Sequence, residues 1–171
     1  MDIKILKLPV FLTVIISLFL LSCDDSNNPR RIDYSTVPDP FSIAGAEKVT
    51  TQSGLEYYIV EEGICPSGDE DICTVNPRDQ IDIFFTKRVK DDPDRIISSS
   101  YVNGVQTPVP ASVGGGRVIT EAGFKEGVIG MKAGEKRVLI LPPDLAYGNN
   151  PNNQYSDQTI WIDVELDEII Y

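Results

Sequence analysis

The stretch from Phe124 to Arg137 reads FKEGVIGMKAGEKR and has the pattern of a short helix followed by the start of a strand. Phe124, Val128 and Met131 recur at i, i+4 and i+7, which places them on one face of a helix. We therefore predict a helix over Glu121–Lys132. Thr120 precedes it as a candidate N-cap, because a hydroxyl can accept from the first free backbone N–H groups.

Strands with alternating apolar residues flank this helix. The clearest runs over Thr159–Asp167, in which Ile160, Ile162, Val164 and Leu166 point one way and polar side chains point the other. Further strands are predicted at 55–61, 81–86, 96–100 and 136–141. Strands with one apolar face, beside a helix with one apolar face, predict an α+β fold, with an antiparallel sheet of about five strands wrapped across a single helix.

Composition excludes several functions. The chain has no histidine and a net charge of −11. Without histidine it has no Ser-His-Asp triad, no histidine general base and no histidine-ligated zinc. A surface this acidic repels phosphate backbones, so nucleic acid is excluded as an expected partner. We also expect no metal and no organic cofactor.

The first 22 residues have the pattern of an export signal. Lys4 and Lys7 precede an apolar run over residues 8–21, which is too short for the ~20 residues that span a bilayer. The following Leu20-Leu21-Ser22-Cys23 resembles the bacterial lipobox, which implies lipidation of Cys23. The alternative is an ordinary signal peptide with an incidental cysteine. We expect an exported, lipid-anchored protein of the bacterial envelope.

Residues 23–50 are polar and marked by prolines, which predicts a flexible tether before a domain at 51–171. Phe41 and Ile43 are isolated apolar residues that could instead pack on the domain edge. Asp24 and Asp25 follow the lipobox cysteine, and the resemblance to lipoprotein sorting signals favours the outer membrane or cell surface over the inner membrane.

Two cysteines remain after Cys23. Cys65 and Cys73 flank a polar, turn-rich stretch, and an even pair in an exported chain predicts a disulfide. Free thiols and a metal site are the alternatives, and the acidic residues between them are more typical of a solvated loop than of a calcium site.

Three separated motifs resemble FKBP-type prolyl isomerases. They are the stretch at 124–137, the stretch LPPDLAYG at 141–148 and the stretch IDVEL at 162–166. Ser53-Gly54-Leu55 and Phe85-Thr86 resemble the opening strands of the family, so the resemblance covers about residues 52–169. It implies a strongly curved antiparallel sheet around one short helix, and rotation about X-Pro bonds as the activity.

The resemblance also implies a set of site residues. The residues in catalytic positions are Tyr147, Phe85 and Ser98, where Ser98 stands in place of the usual acid. The residues in substrate-binding positions are Ile97, Val109, Val118, Ile119, Phe124 and Ile162. Each also fits a plain core role, most strongly Phe124 and Ile162. We expect an open apolar pocket bounded by Tyr147, Ile119 and Phe124.

Three functions follow from these patterns. The first is a monomeric prolyl isomerase that acts on proline-containing exported polypeptides. The second is a non-catalytic module that binds peptides or a partner through the same groove, which the loss of the acid at Ser98 favours. The third is a scaffold without a site.

Overall fold

A computed structural model of the protein describes residues 31–170, apart from the side chains of residues 70 and 71. The predicted signal segment and Cys23 lie outside the described residues. The elements are β1 (Glu47–Thr50), β2 (Glu56–Glu61), α1 (Glu70–Cys73), β3 (Gln80–Val89), β4 (Asp92–Ser99), β5 (Val109–Ser112), α2 (Ala122–Val128), β6 (Lys136–Leu141) and β7 (Ile160–Ile170). Short 3-10 turns lie at Val102–Gly104 and Pro143–Leu145.

All strand pairs are antiparallel and form one sheet of seven strands, in the order β1-β2-β6-β7-β3-β4, with β5 paired to β3. The predicted α+β fold is confirmed. The strand number exceeds the expected five because β1 and β5, each of four residues, are too short to show a periodic pattern.

The core lies between the sheet and α2. The four apolar residues of β7 that alternation places inward, Ile160, Ile162, Val164 and Leu166, have no exposed surface. Phe124 and Val128 of α2 are equally buried and belong to the same cluster. The predicted inward faces of β7 and α2 therefore meet.

Helix α2 is shorter than predicted at its C-terminal end. Ile129 is extended, and Gly130 follows with φ of +76°, a conformation that few other residues adopt. At the start, Glu121 rather than Thr120 is the N-cap residue, and its side chain makes no capping hydrogen bond. The Thr120 prediction is therefore wrong.

Residues 32–46 pack on the sheet although they have little regular structure. The Arg88 guanidinium donates to the Pro38 carbonyl at 3.2 Å, and the Phe41 backbone N–H donates to the Asp163 carboxylate at 3.1 Å. Asp163 is only 4% exposed, although alternation predicts it on a wet face. The compact unit begins at Ile32, well before the boundary expected at residue 50, because this segment covers part of the outer face.

Cys65 and Cys73 form a disulfide, as predicted. The closed loop carries α1, which contains the exposed Ile72, and the exposed Ile64 directly precedes the loop. Within residues 31–170, no helix has both the length and the hydropathy needed to cross a bilayer.

Candidate functional site

The predicted site residues divide into a buried and a half-buried group. Phe85 is 8% exposed, and Ile119, Phe124 and Ile162 have no exposed surface. The half-buried residues are Ile97, Ser98, Val109, Val118 and Tyr147. The rings of Phe85 and Phe124 lie 6.1 Å apart between centroids, so the sheet and α2 bring the predicted floor together.

Lys87 lies at the centre of this group. It pairs with Ser98 on β4 and with Ile162 on β7, two residues after Phe85. Its ammonium lies 5.0 Å from the centroid of the Phe124 ring and 5.7 Å from that of Phe85. A charged group therefore occupies the space over the ring that the sequence predicts as the pocket floor.

The Lys87 ammonium is held by Glu121, the residue that precedes α2. It donates to the two carboxylate oxygens at 3.0 and 2.8 Å and to the Val118 carbonyl at 2.8 Å. The two side chains are 5% and 1% exposed. Because a buried charge is costly without partners, this cluster is a fully paired unit rather than a chance contact.

This pair corrects the prediction of an open apolar pocket. Phe124 and Ile119 are fully covered, so neither presents a wall to solvent. Apolar periodicity identifies only the apolar lining, whereas in the folded protein a lysine and a carboxylate close over it.

Burial and mutual contact shift the pKa values of both groups. Burial alone would raise the pKa of Glu121, but the charge and hydrogen bonds of Lys87 and a hydrogen bond from Tyr147 lower it. Burial lowers the pKa of Lys87, and the Glu121 charge only partly opposes this effect. The contacts with Lys87 and Tyr147 therefore favour the ionised form of the Glu121 carboxylate.

Tyr147 joins the same cluster from the loop after the Pro143–Leu145 turn. Burial and the neighbouring Glu121 carboxylate raise the pKa of its hydroxyl well above the ordinary tyrosine value. Its ring packs against that of Tyr155, with centroids 5.9 Å apart. Tyr147 thus faces the predicted site with its hydroxyl toward Glu121.

An open cleft of about 480 Å³ lies on the outer side of Tyr147. Its lining residues are Ile97, Tyr147, Asn150, Asn152, Asn153, Gln154 and Tyr155. Ile97 lies at a β-bulge, because Lys87 pairs with Ser98 while Arg88 pairs with Ile96. Bulges redirect side chains, and here the bulge residue lines the cleft.

The carboxylate of the site comes from Glu121, the residue that precedes α2, rather than from β4. The resemblance implies an acid at Ser98, directly across the sheet from Lys87. Glu121, three residues before Phe124, supplies that charge instead. Lys87 itself could have been found from the sequence, because it continues the inward alternation of Ile81, Ile83 and Phe85. Val109 lies opposite Ile83 on β5, away from Lys87.

Comparison with known proteins gives a consistent result. A family model described as FKBP-type peptidyl-prolyl cis-trans isomerase matches residues 73–167. The chain is 35% identical over 99 residues to FK506-binding protein 2 of Candida glabrata. This alignment covers 54% of this chain and 66% of that protein. It is 34% identical over 134 residues to the photosynthetic NDH subunit of lumenal location 4 of Arabidopsis thaliana. That alignment covers 74% of this chain and 54% of the relative.

Among solved structures, FkpA from Escherichia coli aligns with a TM-score of 0.58 and 26% identity over 71% of this chain and 51% of that one. The chain therefore spans between half and two thirds of the length of these relatives.

Proposed function

Because this chain belongs to the FKBP-type peptidyl-prolyl cis-trans isomerase family, we propose that it catalyses the cis–trans isomerisation of X-Pro bonds in exported polypeptides. One observation carries the proposal beyond family membership. Tyr147 and Ile97 border an open cleft that adjoins the buried cluster of Phe85 and Phe124.

The chemistry requires no nucleophile. Amide resonance sets a barrier of ~18–20 kcal/mol to rotation about the bond. The twisted amide has lost this resonance, so its carbonyl oxygen carries less negative charge and needs water less. A surface that combines apolar walls with one hydroxyl donor binds the twisted form better than the planar form, which is the condition for catalysis. The side chains of Ile97, Tyr147 and Tyr155 supply apolar surface. The Tyr147 hydroxyl, which donates to Glu121, supplies the donor when the substrate displaces that hydrogen bond.

The Lys87–Glu121 pair limits how a proline can bind. A prolyl ring cannot stack on Phe124 while the ammonium lies 5.0 Å from that ring. The substrate therefore binds in the cleft beside Tyr147, or it displaces the pair at a free-energy cost. Either route makes catalysis weaker than in an open apolar pocket.

Exchange NMR on a short prolyl peptide tests the proposal, because it measures the interconversion rate directly. We expect a rate above the uncatalysed one, and a decrease for Tyr147→Phe. Tyr58→Phe is the matched control, since Tyr58 lies on β2 outside the site and should leave the rate unchanged. An unaccelerated rate with folded wild-type protein would refute the activity.

The second candidate is a binding module without catalysis. The observation that favours it is the same buried pair, which covers the predicted floor. The Arabidopsis relative is named as a subunit of a larger assembly, which is compatible with this alternative. Peptide binding by titration without any rate acceleration would select this function.

We further propose that the protein is exported as a monomer and anchored to the bacterial envelope through a lipid on Cys23. The lipobox-like sequence supports this placement. Cys23→Ser should abolish incorporation of labelled fatty acid and release the protein into the soluble fraction. Incorporation that persists in the variant would contradict the lipidation site.

A further inference from the structure

The open cleft beside Tyr147 differs in chemistry from the buried cluster behind it. Six of its seven lining residues are amides or tyrosines, and none of the seven carries a charge. The amides are Asn150, Asn152, Asn153 and Gln154. This is unusual for a chain with a net charge of −11. The described acidic residues nearest in sequence, Asp94, Asp144 and Asp157, do not line it.

Two of the amides are oriented by the loop itself. The Asn152 backbone N–H donates to Asn150 Oδ1 at 3.1 Å, and the Tyr155 backbone N–H donates to Asn153 Oδ1 at 2.9 Å. Because a backbone N–H can only donate, these bonds identify the oxygen of each amide. The two NH2 groups donate no hydrogen bond within the described part of the chain, so they are available to a ligand.

A cation lies against Tyr155, one of the residues that line the cleft. The Arg95 guanidinium stacks over the Tyr155 ring, 5.1 Å from its centroid, and that ring contacts Tyr147. Arg95 forms no ion pair with any described carboxylate. The stack on Tyr155 restrains the guanidinium beside the cleft, and its remaining N–H groups are free to bind an acceptor.

The NH2 groups of Asn150 and Asn153 and the Arg95 guanidinium are all hydrogen-bond donors, and the guanidinium is positively charged. A carboxylate, which accepts hydrogen bonds and is negatively charged, is the ligand that suits them. On the basis of the isomerase function proposed above, we infer that this cleft is a specificity subsite for an acidic side chain adjacent to the substrate proline. Arg95 is its specificity-determining residue, and a basic side chain at that position is disfavoured by the same charge.

The test uses peptides that differ only in the residue before proline, which is Glu, Gln or Lys. Exchange NMR gives kcat/KM and titration gives Kd for each peptide. We expect the Glu peptide to be favoured over the Lys peptide by roughly three- to tenfold, as an exposed ion pair allows. Arg95→Gln should bring this ratio close to one. Arg78 is an exposed arginine two residues before β3, and Arg78→Gln should leave the ratio unchanged.

Each outcome separates the two proposals. Accelerated exchange with equal kcat/KM and equal Kd for the Glu and Lys peptides overturns the subsite and leaves the isomerase. A preference that survives Arg95→Gln also overturns the assignment. Binding that favours Glu without any acceleration overturns the isomerase and supports the subsite. Absence of binding by every peptide overturns both.

Discussion

The Lys87 ammonium lies 2.8 Å from Glu121 Oε2; both side chains are buried, and the ammonium lies over the ring of Phe124. This contact joins β3 to the start of α2 at the point where the predicted substrate site lies. It makes the site polar at its base and closes it from solvent.

Removing the charge of Lys87 alone should lower the free energy of unfolding much more than removing the charges of both Lys87 and Glu121. Lys87→Met leaves the Glu121 carboxylate buried without a cation, and we expect a loss of about 3–5 kcal/mol in unfolding free energy. The double variant Lys87→Met/Glu121→Leu should recover most of that loss, because apolar side chains of similar size replace a buried pair at little cost. Urea unfolding measures both.

The surface pair of Lys48 and Glu56 provides the control. Its side chains are 45% and 39% exposed, so Lys48→Met should change the unfolding free energy little. A double variant at Lys87 and Glu121 that is no more stable than Lys87→Met would contradict the ion-pair account.

The lowered pKa of Glu121 predicts a specific pH dependence. A carboxylate with a lowered folded pKa contributes stability above its unfolded pKa, and this contribution is lost as the pH falls through the folded pKa. The difference in unfolding free energy between wild type and Glu121→Gln should therefore be largest near about pH 7 and shrink toward about pH 3. A difference that stays constant over this range would show that the Glu121 charge does not stabilise the fold.

The close contact of α2 with β6 predicts that a better helix former will destabilise the protein. A Cβ on Gly127 would lie 2.5 Å from Leu139 Cδ1, and Leu139 is fully buried. Overpacking of the core by this methyl group should cost about 1–3 kcal/mol. This cost should exceed the ~1 kcal/mol by which alanine favours a helix over glycine. Gly114→Ala is the control, since its nearest neighbour lies at 3.6 Å. A thermal midpoint for Gly127→Ala at or above that of wild type would argue against this packing.

The Cys65–Cys73 disulfide should stabilise the domain mainly by restricting the unfolded chain. The cysteines are 8 residues apart, for which chain entropy gives roughly 2–3 kcal/mol. Reductant should lower the unfolding free energy of wild type by this amount and have no effect on the Cys65→Ser/Cys73→Ser variant. Equal stability with and without reductant in the wild type would mean that the bond contributes nothing.

Apolar alternation was sufficient to predict the main strands and the inward face of α2. Ile162 and Phe124 lie where the pattern places them because burial of apolar surface dominates the placement of both elements. The length of α2 was overestimated because Gly130, in a left-handed conformation, ends it early.

The site was harder to predict because its chemistry depends on contacts between distant residues. Lys87 and Glu121 are separated by 34 positions, and only the folded sheet brings them together. The burial of Asp163 has the same origin, since it depends on Phe41 and the preceding segment packing over β7. Local periodicity carries no information on such pairs.

Chemical-shift mapping tests the central claim most directly, namely that proline peptides bind at the Tyr147 cleft beside the buried pair. Isotope-labelled protein is titrated with a prolyl peptide, and shifts of the backbone amides are followed. We predict the largest changes at Ile97, Val118 and Tyr147. Changes centred instead on Ile64 and Ile72, beside the disulfide loop, with Tyr147 unaffected, would contradict the account.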